Sequence, residues 1–418
     1  MIRIDRARLE QTFHEQARIG ATAGGGLTRL ALSDEDRIIR DRMVAWLGDA
    51  GCAVRVDRMG NIFGRRPPAP GGESLPPVVM GSHVDSVPTG GRFDGILGVV
   101  CALEAIRALN AAQIRTRHPV ELAIFTNEEG ARFQPAMLGS AVVAGKVSLE
   151  DAYNKVDRHG IRLVDELERI GYLGPEPCAA RPMRAYLELH IEQGPFLEEA
   201  GLSVGVVEGI VGIAWTRVTL HGAQDHAGPT PMRTRHDALV AAADVVKAVR
   251  HIPLEIGHEL VGTVGWLDVH PNIVNAIPGK VVLTTDLRAP SEADLDRAVA
   301  DLALAVRDAA AAEGVRVEHE ALMRVPLTRF APEVVNAVES AARALGVGHR
   351  RMLSGAGHDA QHMAALCPAG MVFVPSIGGK SHCAEEATHF DDVEHGANVL
   401  MHAALALAAP VGPGSQGL

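Results

Sequence analysis

Val120-Glu121-Leu122-Ala123-Ile124-Phe125, running straight into Thr126-Asn127-Glu128-Glu129-Gly130, is the stretch on which the fold turns. The first six residues are mainly apolar and of strand length, and two adjacent acids close the run. In an open α/β sheet, ligands gather outside the carboxyl ends of the strands. Neighbouring carboxylates placed there repel each other and lose solvation, so something must compensate. A cation does this well: one carboxylate binds it and the other stays free as a base. Taken alone, Glu128 and Glu129 read as solvated loop acids. The rest of the chain reverses that reading.

Three more segments pair an apolar strand with a metal-type ligand. Pro77–Gly81 leads into Ser82-His83-Val84-Asp85, Ala185–Leu189 leads into His190, and Met371–Pro375 leads through a Gly-Gly loop to Ser381-His382. Between the first two lies the loop Gly90-Gly91-Arg92-Phe93-Asp94-Gly95, whose Asp94 opens a long apolar helix. Any one of these histidines alone reads as an ordinary strand-end residue; four strand ends converging on one crevice do not read as coincidence. His83, Asp94, Glu129, His190 and His382 have the nitrogen and carboxylate chemistry for two zinc-like ions, with one aspartate able to bridge them.

Composition narrows the class. At 418 residues the chain exceeds the roughly 250–300 residues over which a single core grows, so two domains are expected. Hydrophobic residues make up 47% and suit a soluble globular enzyme, while aromatics at 4% leave the core to Ala, Val and Leu. A formal net charge of −11, with no Lys/Arg run interleaved by aromatics, argues against nucleic-acid binding. No stretch reaches transmembrane length, and MIRIDRARLE does not read as a signal peptide. Five scattered cysteines without CxxC spacing suggest reduced thiols and a cytoplasmic location. Cys383 reads as a packed neighbour of His382. The tail VGPGSQGL reads as frayed.

Ser33, with Asp36 completing a capping box, starts what reads as the first helix, its stripe of Ile38, Ile39, Met43, Trp46 and Leu47 ending at Gly51. A strand-like piece (Ala53 to Val56) and a Pro/Gly-rich loop (Arg66 to Pro77) follow. Strand and helix signals then alternate, which implies a mainly parallel mixed sheet with helices on both faces. Near Gly205 the texture changes: strands from Val204 to Leu220 broken by Gly209 and Gly212, a helix from Ala238 to Val249, strands at Leu260–Asp268 and Lys280–Leu287, then a helix capped by Ser291 with Asp294. Candidate ligands fall before and after this block, never inside it. The expectation is a catalytic domain over residues 1–208 and 326–418, with a smaller α+β sandwich inserted at 209–325 as a lid and dimerisation domain.

Inside the insertion, the turn-rich loop Gly222–Pro231 presents His226, either a hydrogen-bonded turn histidine or a donor to a developing oxyanion. Asn275, in a Pro-bounded loop, either stabilises its turn or binds substrate. Asp286 and Arg288 share a strand face and read either as a surface ion pair or as a carboxylate clamp supplied by Arg288.

Together these motifs resemble the dinuclear-zinc amidohydrolases related to aminoacylases and glutamate carboxypeptidases, and within them the branch of N-carbamoyl-L-amino acid hydrolases, β-ureidopropionases and allantoate amidohydrolases. The resemblance is carried by GSHVDSVPTGGRFDG (Gly81–Gly95), TNEEGARF (Thr126–Phe133), ELHIEQGPFLE (Glu188–Glu198), DHAGPTPMRTRHDA (Asp225–Ala238), PNIVNAIPG (Pro271–Gly279), SGAGHDA (Ser354–Ala360) and SHCAEE (Ser381–Glu386). It spans nearly the whole chain in order. His190 matters most for the branch, because peptidase relatives tend to carry an acid there.

The resemblance implies two divalent ions per subunit, zinc first, with manganese, cobalt or nickel also suited. One would be held by His83, Asp94 and His190, the other by Asp94, Glu129 and His382. Asp85 would orient His83, and Glu128 would be the general base. Gln193, His226, Asn275, Arg288 and the Gly357–His358 turn would surround the substrate, with His226 reaching the partner subunit of a homodimer formed through the small domain. The implied reaction is hydrolysis of the ureido C–N bond of an N-carbamoyl-L-amino acid to L-amino acid, CO₂ and ammonia, by a water shared between the metals. The other readings are allantoate amidohydrolase, β-ureidopropionase, and zinc aminoacylase or dipeptidase. A metal-free scaffold is argued against by the intact ligand set. Trp215, aromatic where allantoate-cleaving relatives look basic, leans toward carbamoyl amino acids unless it is a core residue.

Overall fold

The computed structural model describes residues 1–257 and 259–411, so the tail beyond Val411 lies outside the described residues. The chain divides into two compact units, Met1–Gly209 with Arg329–Leu418, and Ile210–Thr328.

The larger unit is built on a nine-stranded mixed sheet. Its order is Ala53–Val56, Ile62–Arg66, Val120–Phe125, Val78–His83, Ala185–Ile191, Ala369–Val374, Val204–Ile210 and Thr328–Arg329, with His349–Ser354 also paired to Val204–Ile210. Val78–His83 is parallel to both Val120–Phe125 and Ala185–Ile191, which in turn is parallel to Ala369–Val374. These four central strands are buried along their whole length. That is why they read as nearly unbroken apolar runs rather than as alternating patterns. The antiparallel pairings lie to either side. Helices flank the sheet; the most buried, Ile96–Ala111, is apolar nearly all round and packs on Val78–His83 and Ala185–Ile191.

Ser33 does cap the helix Asp34–Asp49, its hydroxyl accepting from the Asp36 N–H at 3.2 Å. The return bond of a capping box is replaced, however. The Asp36 carboxylate accepts from the Leu32 N–H (2.7 Å) and from Arg40 Nε (2.8 Å). This is also not the first helix: Arg6–Gln16 precedes it, started by Asp5 accepting from the Arg8 N–H at 3.1 Å. Only Leu9 and Phe13 give that helix an apolar side, too little for a periodic signal. At the other end, Pro410–Val411 pairs with Arg115–Thr116, so regular structure runs up to the last described residue.

The smaller unit is β-rich. Its antiparallel sheet runs Val261–His270, Lys280–Ala289, Gly212–His221, Arg316–Val325. The helices Ala238–Ile256 and Glu292–Glu313 share one core with it, made by Val218, Leu220, Val281, Leu283 and Leu287 from the sheet and Val245, Val249, Leu295, Leu302 and Val306 from the helices. The first helix runs on through Pro253 to Ile256, past the end expected at Val249. Ser291 caps the second, accepting from the Asp294 N–H at 3.1 Å. Trp215 is 39% exposed and so is not a core tryptophan.

Candidate metal centre

All four central parallel strands deliver side chains at their carboxyl ends. His83 and His190 are the last and penultimate residues of their strands. Glu128 and Glu129 follow Val120–Phe125 after Asn127, whose φ of 58° turns the chain through the left-handed region that asparagine tolerates. The Asn127 amide closes the turn, donating to the Phe133 carbonyl at 2.8 Å. His382, itself at φ 55°, follows the loop after Ala369–Val374. Asp94 sits just before the helix Ile96–Ala111, and Gly95 beside it has φ 65°. A Cβ on Gly95 would lie 2.3 Å from the His83 ring, so glycine is required for that histidine to fit.

The ligand atoms form two trios that share Asp94: His83, Asp94, His190 and Asp94, Glu129, His382, with the atoms of each trio within 4.8 Å of one another. Asp94 Oδ1 lies 3.6 Å from His83 Nε2 and 3.1 Å from His190 Nε2. Asp94 Oδ2 lies 3.3 Å from His382 Nε2, which is 3.4 Å from Glu129 Oε2. Tetrahedral ligands about 2.1 Å from zinc stand about 3.4 Å apart, so these spacings match a coordination shell. Glu129 Oε1 is buried with no hydrogen-bond donor, a costly state that a cation relieves. The donor set therefore fits two divalent ions, with Asp94 offering one oxygen to each.

The charge balance says the same. Burial, with Asp94 beside it, pushes Glu129 up to about 8. Burial holds the Glu128 carboxyl well above the usual range despite the opposing charge of His83. Burial alone would raise Asp94 too, but His190, His382 and His83 draw it well below. For His83 burial works downward and is outweighed by Glu128, Asp94 and Asp85, which raise it well above the usual imidazole range.

Glu128 belongs to neither trio, and its Oε2 lies 3.5 Å from His83 Nε2. Asp85 meets His83 through its main chain. The His83 Nδ1–H donates to the Asp85 backbone carbonyl at 3.0 Å, whereas the nearest Asp85 carboxylate oxygen is 3.8 Å away. The carboxylate instead accepts from the N–H groups of Glu128 (3.1 Å) and Glu129 (3.2 Å), fixing the main chain of the acidic pair. His190 Nδ1–H donates to the Ile191 carbonyl at 2.9 Å, which turns Nε2 toward the cluster, where it accepts from the Gly95 N–H at 3.1 Å.

Gln193, at φ 60°, donates from Nε2 to Asp94 Oδ2 (2.8 Å) and to Ser381 Oγ (3.2 Å). His358 is buried edge-on to His190 with ring centroids 4.5 Å apart, and its Nε2 lies 3.0 Å from Ser354 Oγ. Burial, reinforced by His190, keeps it well below the usual imidazole range and so uncharged. Gly357 precedes it in the turn. Two residues absent from the sequence-derived set belong to this cluster: Ser381 and Glu386 are bonded to each other and to Asp94. Glu386 lies within SHCAEE, but its role could not be read there, because two of its donors, the N–H groups of Phe93 and Asp94, lie 293 and 292 residues away.

The remaining candidates lie in the smaller unit. His226 is exposed on a two-residue strand paired with Ala276–Ile277, and the Asn275 carbonyl accepts from the Ala227 N–H at 2.9 Å. His226 Nδ1 accepts from the Gly228 N–H at 3.0 Å, so the proton sits on Nε2. Arg288 pairs with Asp286, Nη2 to Oδ2 at 2.8 Å.

Comparison with known proteins agrees with this geometry. Residues 79–406 match the model of peptidase family M20/M25/M40. The chain is 42% identical over 406 residues to the N-carbamoyl-L-amino-acid amidohydrolase of Rhizobium meliloti, covering 97% of each. It is 42% identical over 404 residues to the enzyme of that name from Paenarthrobacter aurescens, covering 96% of this chain and 97% of the other. The crystal structure of an amidase of the hydantoinase/carbamoylase family from Burkholderia multivorans matches with a TM-score of 0.92 at 47% identity, covering 97% of this chain and 98% of that one.

Proposed function

We propose that this chain, which belongs to peptidase family M20/M25/M40 and within it to the hydantoinase/carbamoylase branch, hydrolyses the ureido C–N bond of an N-carbamoyl-L-amino acid to the L-amino acid, CO₂ and ammonia. As a member of that branch with a dinuclear site, it is a metal-dependent hydrolase. The observation that carries the reading is the pair of trios sharing Asp94, beside one buried carboxylate, Glu128, that neither trio uses.

Bound divalent ions supply Lewis acidity toward a carbonyl oxygen and toward water. Everything else falls to the protein. The Asp85 carboxylate holds the amides of Glu128 and Glu129, so the two side chains leave a fixed main chain in different directions of use. Glu129 is a ligand; Glu128 takes the proton of the attacking water and returns it to the leaving nitrogen as the C–N bond breaks. Gln193 and His358 steady Asp94 and His190 respectively.

In the smaller unit, we assign His226 as a hydrogen-bond donor to the developing oxyanion and Asn275 and Arg288 as binders of the substrate carboxylate. What supports this is the proton on His226 Nε2, the pairing of the His226 and Asn275 segments, and a guanidinium oriented by Asp286. Association of two copies through this unit is supported by its edge strand Val261–His270, on which Val261, Trp266 and Leu267 are exposed. Among the described residues no helix is long and apolar enough to cross a membrane. All five cysteines are unpaired, which supports a cytoplasmic location.

The test is ammonia release from N-carbamoyl-L-amino acids, N-carbamoyl-β-alanine and allantoate, with amine release from N-acetyl-L-amino acids in parallel, each with and without chelator. Chelator-sensitive ammonia from a carbamoyl-L-amino acid is the expected result. Ammonia from allantoate alone, or amine from acetyl substrates alone, overturns the substrate assignment.

A further inference from the structure

We propose that Glu386 is a positioning residue for the shared ligand Asp94 and sets the affinity of the cation seated among Asp94, Glu129 and His382. The proposal rests on the reading that the two trios hold two divalent ions.

Glu386 is 1% exposed, and both its oxygens are used. Oε1 accepts from the N–H of Phe93 at 2.9 Å and from the N–H of Asp94 at 3.0 Å. Oε2 accepts from Ser381 Oγ at 2.9 Å. One carboxylate thus fixes the main chain from which Asp94 springs and the residue directly before His382. The two halves of the second trio are thereby tied together across the sequence by a group that touches neither cation position.

The proton count gives this clamp its chemistry. Ser381 Oγ also lies 3.0 Å from Asp94 Oδ2, yet a hydroxyl has a single hydrogen to give. Gln193 Nε2 has two, and reaches both Asp94 Oδ2 and Ser381 Oγ. With Gln193 donating to it, the Ser381 hydroxyl can turn its hydrogen to Glu386. Asp94 Oδ2 then keeps a lone pair for a cation instead of spending it on a hydroxyl. Glu386 is the acceptor that makes this orientation available.

The fold makes room for it at one place. A Cβ on Gly91 would lie 1.9 Å from the Glu386 carboxyl group. Space, rather than backbone conformation, demands glycine there.

The experiment is a titration of metal-free protein with Co²⁺ and with Zn²⁺ against a chromophoric chelator. Wild type, Glu386→Gln, Ser381→Ala and Gly91→Ala are compared, and the Co²⁺ absorption of His382→Ala identifies which band belongs to the second trio. Wild type should take up two ions. Glutamine matches glutamate in size and can keep the two amide bonds through its carbonyl. Its NH₂ must donate to Ser381, however, which sends the hydroxyl hydrogen to Asp94. Loss of such outer contacts lowers metal affinity roughly 10–100-fold. That fall should appear in Glu386→Gln at the His382 trio alone, with its Co²⁺ band altered, and in the same direction in Gly91→Ala. Ser381→Ala keeps the amide clamp and should show a smaller fall; it decides the matter if Glu386→Gln does not fold. Two ions at wild-type affinities with unchanged spectra in Glu386→Gln overturn the proposal and leave the dinuclear reading standing. Fewer than two ions on the wild type overturn both.

Discussion

Replacing Asp85 with asparagine tests which part of that residue the site relies on. The carboxylate oxygens accept one main-chain N–H each, from Glu128 at 3.1 Å and Glu129 at 3.2 Å, in a position only 1% exposed. Asparagine keeps one acceptor and turns an NH₂ toward the other N–H. A hydrogen bond to a charged group contributes about 1.5–3 kcal/mol, and a buried donor left without an acceptor costs about 1–3 kcal/mol. Asp85→Asn should therefore lower stability by about 2.5–6 kcal/mol, a large share of the roughly 5–15 kcal/mol that holds a domain folded. The protein has three tryptophans. Changing the exposed Trp215 and Trp266 to phenylalanine leaves Trp46, 9% exposed in the larger unit, as the reporter. Urea unfolding followed by its fluorescence then gives the difference directly. His83 is held by the Asp85 carbonyl, so the ion of the His83 trio should stay bound in the variant. A destabilisation under about 1 kcal/mol, below a single bond of this kind, together with loss of that ion, would refute the reasoning and return the carboxylate to His83.

Glu128→Gln should lower kcat by about 10²–10⁴-fold with both ions still bound, as measured by metal analysis alongside turnover; unchanged turnover would remove Glu128 from proton transfer. Asp36→Asn leaves the Arg40 guanidinium, fully buried like its partner 2.8 Å away, without its counter-charge. It should cost about 3–5 kcal/mol in the same urea assay. Chelation should abolish activity reversibly and lower the thermal midpoint. An ion held at 100 times its dissociation constant stabilises by about 2.7 kcal/mol, so an unmoved midpoint would show that the trios are empty under assay conditions.

The parallel core was legible because burial on both faces leaves a strand no polar positions, and a polar ligand directly after such a run stands out. The insertion was legible for a different reason: ligand candidates stop before it and resume after it. Helix Arg6–Gln16 and strand Ile62–Arg66 were not, since the first has two apolar anchors and the second is short and carries two arginines. Site chemistry carried by side-chain type, as in His83 or Glu129, could be named from spacing. Chemistry carried by the main chain could not. The Asp85 carbonyl that holds His83, and the amides of Phe93 and Asp94 that Glu386 receives, belong to groups every residue has.

The order of the ligands along the chain has a consequence for biosynthesis. His83, Asp94 and His190 all precede the inserted unit, whereas His382 comes only after it. Chains emerge from the ribosome amino end first, and domains tend to fold as they appear. A nascent chain can thus offer one complete trio long before the other exists. The second trio assembles only when the returning segment has added Ala369–Val374 beside Ala185–Ile191 and brought His382 to the same sheet edge. The second trio therefore cannot form until the interrupted domain has closed on itself.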